Sequence, residues 1–326
     1  MLMRQQSALF AAMCLIWGST WIAMKVGIDA VPPVLFAGTR FMAEGALLVG
    51  YLLLTEGQVR FERQDLVRLP LVTLLMVTLA YSLIFWGALH VSSGLAAVID
   101  LSFLPVALLT IGVALGEERF DFRRAAAIAL GVVGLAILFA PKVIGELGGT
   151  MMEVWGGLAI VASAVLYGLG SVLSRPLLRR YSPVLVSGAT LLPGGALMVI
   201  GSLLFEPGSV TALNGRWGAA AWSGWAFLVI FGSLVAYTFY LSLVRDWGPS
   251  RAGAYSFISP GIAVVLGIVV LGEQVRGTDV IGMAVMLAAA WLALQENDRG
   301  KATATEPVVC SRRTEAGPGV SQRTSS

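Results

Sequence analysis

Three ionisable residues interrupt otherwise apolar runs: Arg40 and Glu44 in FAGTRFMAEGALL, and Asp100 in LAAVIDLSFLP. A fourth, Lys25, closes the run WGSTWIAMK. A charge in hydrocarbon is costly unless it is paired or wetted, so each of these is a candidate for function. A guanidinium or ammonium recognises a carboxylate, and a carboxylate binds an ammonium group or carries a proton. Competing structural readings exist for two of the sites. Arg40 and Glu44 have the spacing of a helical i,i+4 pair, and Lys25 has a stem long enough to snorkel to an interface. Trp17, Tyr81, Tyr167 and Tyr255 also fall within apolar runs. Their rings suit a binding cavity through shape and cation–π contact, with plain packing as the alternative use.

Other chemistries lack their residues. The chain has one histidine and two cysteines, too few for a zinc helix or a disulfide framework, and no Gly-x-Ser-x-Gly or P-loop pattern. No metal, cofactor or catalytic residue is expected, and the protein reads as a non-enzyme. The net charge of +3 is too mild to suggest nucleic acid as a partner.

The elements that hold these residues follow from composition. Hydrophobic residues make up 57% of the 326 and charged residues 13%, against about a quarter charged in soluble domains. The chain needs an apolar solvent, and a bilayer core demands about 20 apolar residues per helix. The expected architecture is all-α, a polytopic membrane protein of ten transmembrane helices. They run over about 7–28, 33–54, 69–90, 93–115, 123–140, 153–173, 183–205, 219–243, 251–271 and 277–295. At ~1.5 Å per residue, Arg40 and Asp100 then lie about 10 Å inside the outer ends of their helices. The first span is too long for a signal-peptide core and reads as a retained helix.

Alternate connections between these spans carry eleven arginines on one side and three basic residues on the other. The arginine-rich side, which includes both termini, is therefore expected to be cytoplasmic. Residues 296–326 are polar and aperiodic and read as a disordered cytoplasmic tail.

The chain also repeats itself. PVLFAGTRFMAEGALL (33–48) aligns with PVLVSGATLLPGGALM (183–198) at a shift of 150, which lays Lys25 over Arg175. FLPVALLTIGVALGEE aligns with ISPGIAVVLGIVVLGEQ at a shift of 155 to 156, pairing Gly116-Glu117 with Gly272-Glu273. Five helices per copy is an odd number, so the second copy, 153–295, must cross the membrane inverted relative to the first, 7–140. The shift places Thr190, Gly194 and Tyr255 at the positions of Arg40, Glu44 and Asp100. The scaffold is repeated and the charges are not. The Leu-Gly-Glu signature reads as structural, a glycine ending a helix in the left-handed conformation and a glutamate where the next helix begins, with a gating role for the pair as the alternative.

IWGSTWIAMKVG in the first span, GTRF in the second, and the Pro, apolar run, LGE pattern in the fourth and ninth resemble the EamA-type branch of the drug/metabolite transporter superfamily. The resemblance covers about residues 7–295 and implies a secondary transporter in a bacterial cytoplasmic (inner) membrane. It implies a small-metabolite substrate, an amino acid or related compound, and export as the direction. The acidic coupling residue that small multidrug-resistance relatives carry in their first helix has no counterpart before Asp29. Proton coupling, if present, then falls to Glu44 or Asp100. A carrier of lipid or nucleotide-conjugate substrates is the alternative reading, and a non-transport scaffold a weaker one. Monomer and homodimer both fit the sequence.

Overall fold

The computed structural model describes residues 2–55, 60–91, 93–144, 151–262, 265 and 277–294. Among these the regular structure is helical, with no strand. The longer helices among the described residues are α1 (Leu2–Ile28), α2 (Pro33–Thr55), α3 (68–88), α4 (Ser93–Ala114) and α5 (Phe122–Ile144). They continue as α6 (Met151–Leu178), α7 (Pro183–Phe205), α8 (Ala219–Trp247), α9 (249–262) and α10 (Gly277–Leu294). In α9, Pro249–Ala252 is α-helical and Gly253–Phe257 is a 3-10 turn. Five helices, α2, α3, α6, α7 and α8, are long and apolar enough to cross a membrane by length and composition. Many large apolar side chains on them face outward, among them Leu54, Leu197, Ile200 and Phe205. That arrangement suits a lipid solvent.

The contact between α2 and α7 is built on glycine. A Cβ at Gly45 would lie 2.2 Å from the Leu192 amide nitrogen, and one at Gly195 would lie 2.4 Å from that of Met42. Only hydrogen fits at either place. These contacts exchange under the sequence shift of 150, which takes Gly45 to Gly195 and Met42 to Leu192. The same holds for Gly38 against Met198 and Val199, and Gly188 against Leu48 and Val49. The pairing is antiparallel and has the reciprocity of a two-fold contact.

A second correspondence lies in α3 and α8. Each contains a π-helical stretch, Thr73–Leu79 in α3 and Leu228–Val235 in α8. Wider turns of this kind free backbone carbonyls from the helical ladder. Two carbonyls in these regions accept from neighbouring helices: Ala80 from the Ser163 hydroxyl of α6 at 2.8 Å, and Gly232 from the Trp17 indole of α1 at 2.9 Å.

Helix ends are closed by specific groups. Ser182 caps α7, accepting from the Leu185 amide at 3.2 Å. Glu206, just past α7, accepts from the Val34 and Leu35 amides at the start of α2, at 3.0 and 3.1 Å. Gly116 follows α4 with φ +70°, and the Glu117 and Glu118 amides turn back to the Gly112 carbonyl, each at 2.9 Å.

The role expected of the following glutamate needs correction. Glu117 does not stand at the start of α5; Asp121 does, accepting from the Arg123 amide at 3.0 Å. Glu117 instead meets arginines at the end of α6. Glu118 reaches the start of α9, where it accepts from the Ser250 amide at 3.1 Å and from the Ser250 hydroxyl. The helix it serves is distant in sequence, which local spacing could not reveal. Gly272 and Glu273 lie outside the described residues.

Candidate functional site

A cavity of about 160 Å³ lies between α1, α2, α3, α4, α6, α8 and α9. Six of the eight residues singled out as site candidates line it: Trp17, Arg40, Tyr81, Asp100, Tyr167 and Tyr255. Its walls are mostly aromatic. Trp17 meets Tyr255 edge-on at 4.5 Å and Tyr240 at 5.4 Å, while Tyr81 meets Phe41 at 4.6 Å and Tyr167 at 6.1 Å between centroids. The indole of Trp17 is fixed by its bond to Gly232, so the π turn of α8 orients one wall. On another wall Ser163 is held by Ala80.

Two opposite charges enter this apolar space. The Arg40 guanidinium lies 4.4 Å from the centre of the Phe41 ring and 6.0 Å from that of Tyr81. A cation over an aromatic face is stabilised without being neutralised, so it stays available to an anion. Asp100 lines the same cavity as Tyr81 and Tyr255. Arg40 Nε, Tyr167 Oη and Ser259 Oγ are buried without a protein hydrogen-bond partner. An unpaired buried polar group is costly, and these three belong to residues that line the cavity.

Glu44 is placed differently. It is 0% exposed, does not line the cavity, and neither carboxylate oxygen has a hydrogen-bond partner. The expected local pair with Arg40 is therefore not hydrogen-bonded. Ser233 of α8, which does line the cavity, stands beside the Glu44 carboxylate. Lys25 falls in the last turns of α1; its side chain lies outside the described residues.

The cavity has two unlike ends. Its lining reaches Ile28, Ala88 and Ala96, next to the turns that join α1 to α2 and α3 to α4. These are the arginine-poor connections. At the other end Arg179 and Arg175 approach Glu117 at 2.8 and 3.7 Å, Arg124 approaches Glu118 at 3.4 Å, and Arg180 approaches Asp65 at 3.1 Å. Tyr181 donates to the same Asp65 at 2.9 Å. These bonds tie the residues that follow α4 to the start of α5 and the end of α6, and the end of α6 to the segment before α3.

The chain has counterparts among known proteins. The profile of the EamA-like transporter family matches residues 7–140 and 154–295. The chain belongs to the EamA-like transporter family. It is 30% identical over 288 residues to the inner membrane transporter YedA of Escherichia coli (strain K12), covering 87% of this chain and 89% of YedA. It is 25% identical to Protein PagO of Salmonella typhimurium, covering 88% and 92%. A crystallised protein shares the fold with TM-score 0.71 at 21% identity, over 89% of this chain and 96% of the other. This EamA-like protein is thus a multi-pass protein of the cell membrane and takes part in membrane transport.

Within the transporter, sequence reasoning missed the hydroxyl groups. Thr20, Ser163, Ser233 and Ser259 line the cavity, yet a hydroxyl in an apolar helix more often bonds its own preceding turn, as Thr190 does with Val186 at 2.8 Å. Tyr237 also lines the cavity. It stands two turns before Val244 on the buried face of α8, and only the packing shows which way that face points.

Proposed function

We propose that this transporter exports a small amino-acid-like metabolite by alternating access between two inverted five-helix repeats, residues 7–140 and 153–295. The observation that carries the reading is a cavity with an aromatic lining into which Arg40 and Asp100 bring opposite charges. A solute with a carboxylate and an ammonium group has one end for each, and the rings of Trp17, Tyr81, Tyr167 and Tyr255 suit an apolar or aromatic remainder. The exchange of α2–α7 contacts under the shift of 150, and the matching π turns of α3 and α8, support the inverted repeats. Antiparallel halves related in this way have two near-equivalent arrangements, open to opposite sides. The eleven arginines support a cytoplasmic assignment for the end closed by ion pairs.

The test is counterflow in proteoliposomes with three probes: L-phenylalanine, L-phenylalaninamide, which lacks the carboxylate, and N-acetyl-L-phenylalanine, which lacks the ammonium charge. L-Phenylalanine is expected to exchange, and each analogue to compete at least about tenfold less well, because each leaves a buried charge unpaired. Arg40→Gln is expected to remove the preference for L-phenylalanine over its amide. Equal competition by all three probes, or none by any, rejects an amino-acid-like substrate.

A further inference from the structure

The repeated scaffold does not demand an acid at Glu44, since its repeat counterpart is Gly194. Nor does it contact a solute in the cavity, from which it is buried. The other buried acid among the described residues, Asp65, has Arg180 and Tyr181 as partners; Glu44 has the neutral hydroxyl of Ser233 beside it and no charged hydrogen-bond partner. The charged or titratable groups that face it are Arg40 from α2, Tyr81 from α3 and Tyr237 from α8, beside the hydroxyl of Ser233. Helix α7, packed on the other side of α2, has no titratable side chain.

Arg40 stands one helical turn from Glu44, at a spacing that lets the side chains meet. In a medium of low dielectric one guanidinium compensates one negative charge, and a second anion beside it is strongly disfavoured. An ionised Glu44 therefore competes with a solute carboxylate for Arg40. A protonated Glu44 leaves the guanidinium free toward the cavity, which is where the structure places it. We infer that a proton on Glu44 and a carboxylate on Arg40 are loaded together, so that solute and proton cross in the same direction.

Ser233 supplies the path. Its hydroxyl, on the cavity wall and beside Glu44, takes a proton from the solvent side and passes its own to the carboxylate, ending unchanged. An accumulated solute then leaves with a proton, driven by its own outward gradient. This inference rests on the amino-acid reading above, and linkage makes it reciprocal: protonation raises carboxylate affinity, and carboxylate binding raises proton uptake.

The experiment measures L-phenylalanine binding to the purified wild type and to Glu44→Gln over an acidic-to-alkaline series. Proton uptake on binding is followed with a pH indicator in weakly buffered solution. For the wild type, affinity is expected to fall roughly tenfold per pH unit along an alkaline limb, with uptake of about one proton per bound solute there. Below about pH 8, where the amine of L-phenylalanine stays protonated, Glu44→Gln is expected to lack both that limb and its proton, and 2-phenylethylamine, which has the ammonium and no carboxylate, is expected to show neither in the wild type. Binding of L-phenylalanine by the wild type without proton uptake overturns the inference while leaving the amino-acid reading in place. So does an alkaline limb that survives in Glu44→Gln. Failure of the wild type to bind L-phenylalanine at any pH removes the amino-acid reading and the inference with it. A wild-type proton count of zero below about pH 8 overturns the inference even if the variant does not fold.

Discussion

Asp100 has a simpler position than Arg40: it is an acid on the wall of the cavity that Tyr81 and Tyr255 also line. Its proposed partner is the ammonium end of the solute. Asp100→Asn keeps the shape and removes the charge, so L-phenylalanine should lose about 1.5–3 kcal/mol of binding, the range for a hydrogen bond to a charged group. Binding of N-acetyl-L-phenylalanine, which carries no ammonium, should change little. Counterflow competition measures both, and equal losses for the two probes would show that Asp100 shapes the cavity without recognising an amine. The charged members of the site were legible in the sequence because an Arg, Glu or Asp inside an apolar run has few bland explanations. Aromatic members were partly legible, since Trp17, Tyr81, Tyr167 and Tyr255 are only four of many rings in the chain. Ser233 and Ser259 were not, because nothing in a run of small and apolar residues tells a cavity-facing hydroxyl from one bonded to its own helix.

At the scale of elements, α2 and α7 illustrate what glycine does in a membrane. Gly45 lies where a methyl group would strike the backbone of Leu192, whereas Gly50, on the same helix, would meet nothing within 4 Å. Gly45→Ala must push the helices apart and should cost about 1–3 kcal/mol, as overpacking does. Gly50→Ala should be neutral or stabilising by up to ~1 kcal/mol through helix propensity. Thermal unfolding of the two variants in detergent gives the comparison, and similar midpoints would mean that α2 and α7 are not held at this distance. Gly45 and Gly195 were already in register in the sequence repeat, so their pairing was half visible there. The π stretches of α3 and α8 were not visible, because TLLMVTL and LVIFGSLV carry no Pro, cap or charge that marks a wider turn.

On the scale of the whole unit over 2–294, the cavity reaches one set of turns while ion pairs close the other end. Hydropathy made the apolar spans α2, α3, α6, α7 and α8 legible, and arginine placement gave an expected sidedness. They could not show which end is shut, because that depends on side chains brought together from distant helices. Glu117 holds the pivotal place, on the end of α4 and between Arg175 and Arg179 at the end of α6, thereby joining the first half of the chain to the second. Each partly exposed pair stabilises by only ~0–1 kcal/mol, so the closure is weak enough to open in the alternating-access cycle proposed above. Ser174, 0% exposed and one residue before Arg175, reports on it. With Cys310 replaced by Ser and Cys14 buried, a thiol introduced by Ser174→Cys should resist a membrane-impermeant maleimide added from the arginine-rich side. Adding Glu117→Gln should raise its labelling rate roughly fivefold, the effect of losing ~1 kcal/mol of closure. Labelling from the arginine-poor side should fall or stay unchanged, because the two ends are not open together in alternating access. If Glu117→Gln raises labelling from both sides alike, the pairs hold the fold as a whole, and closure of this end must lie with the packed rings of Tyr167 and Tyr240 above them.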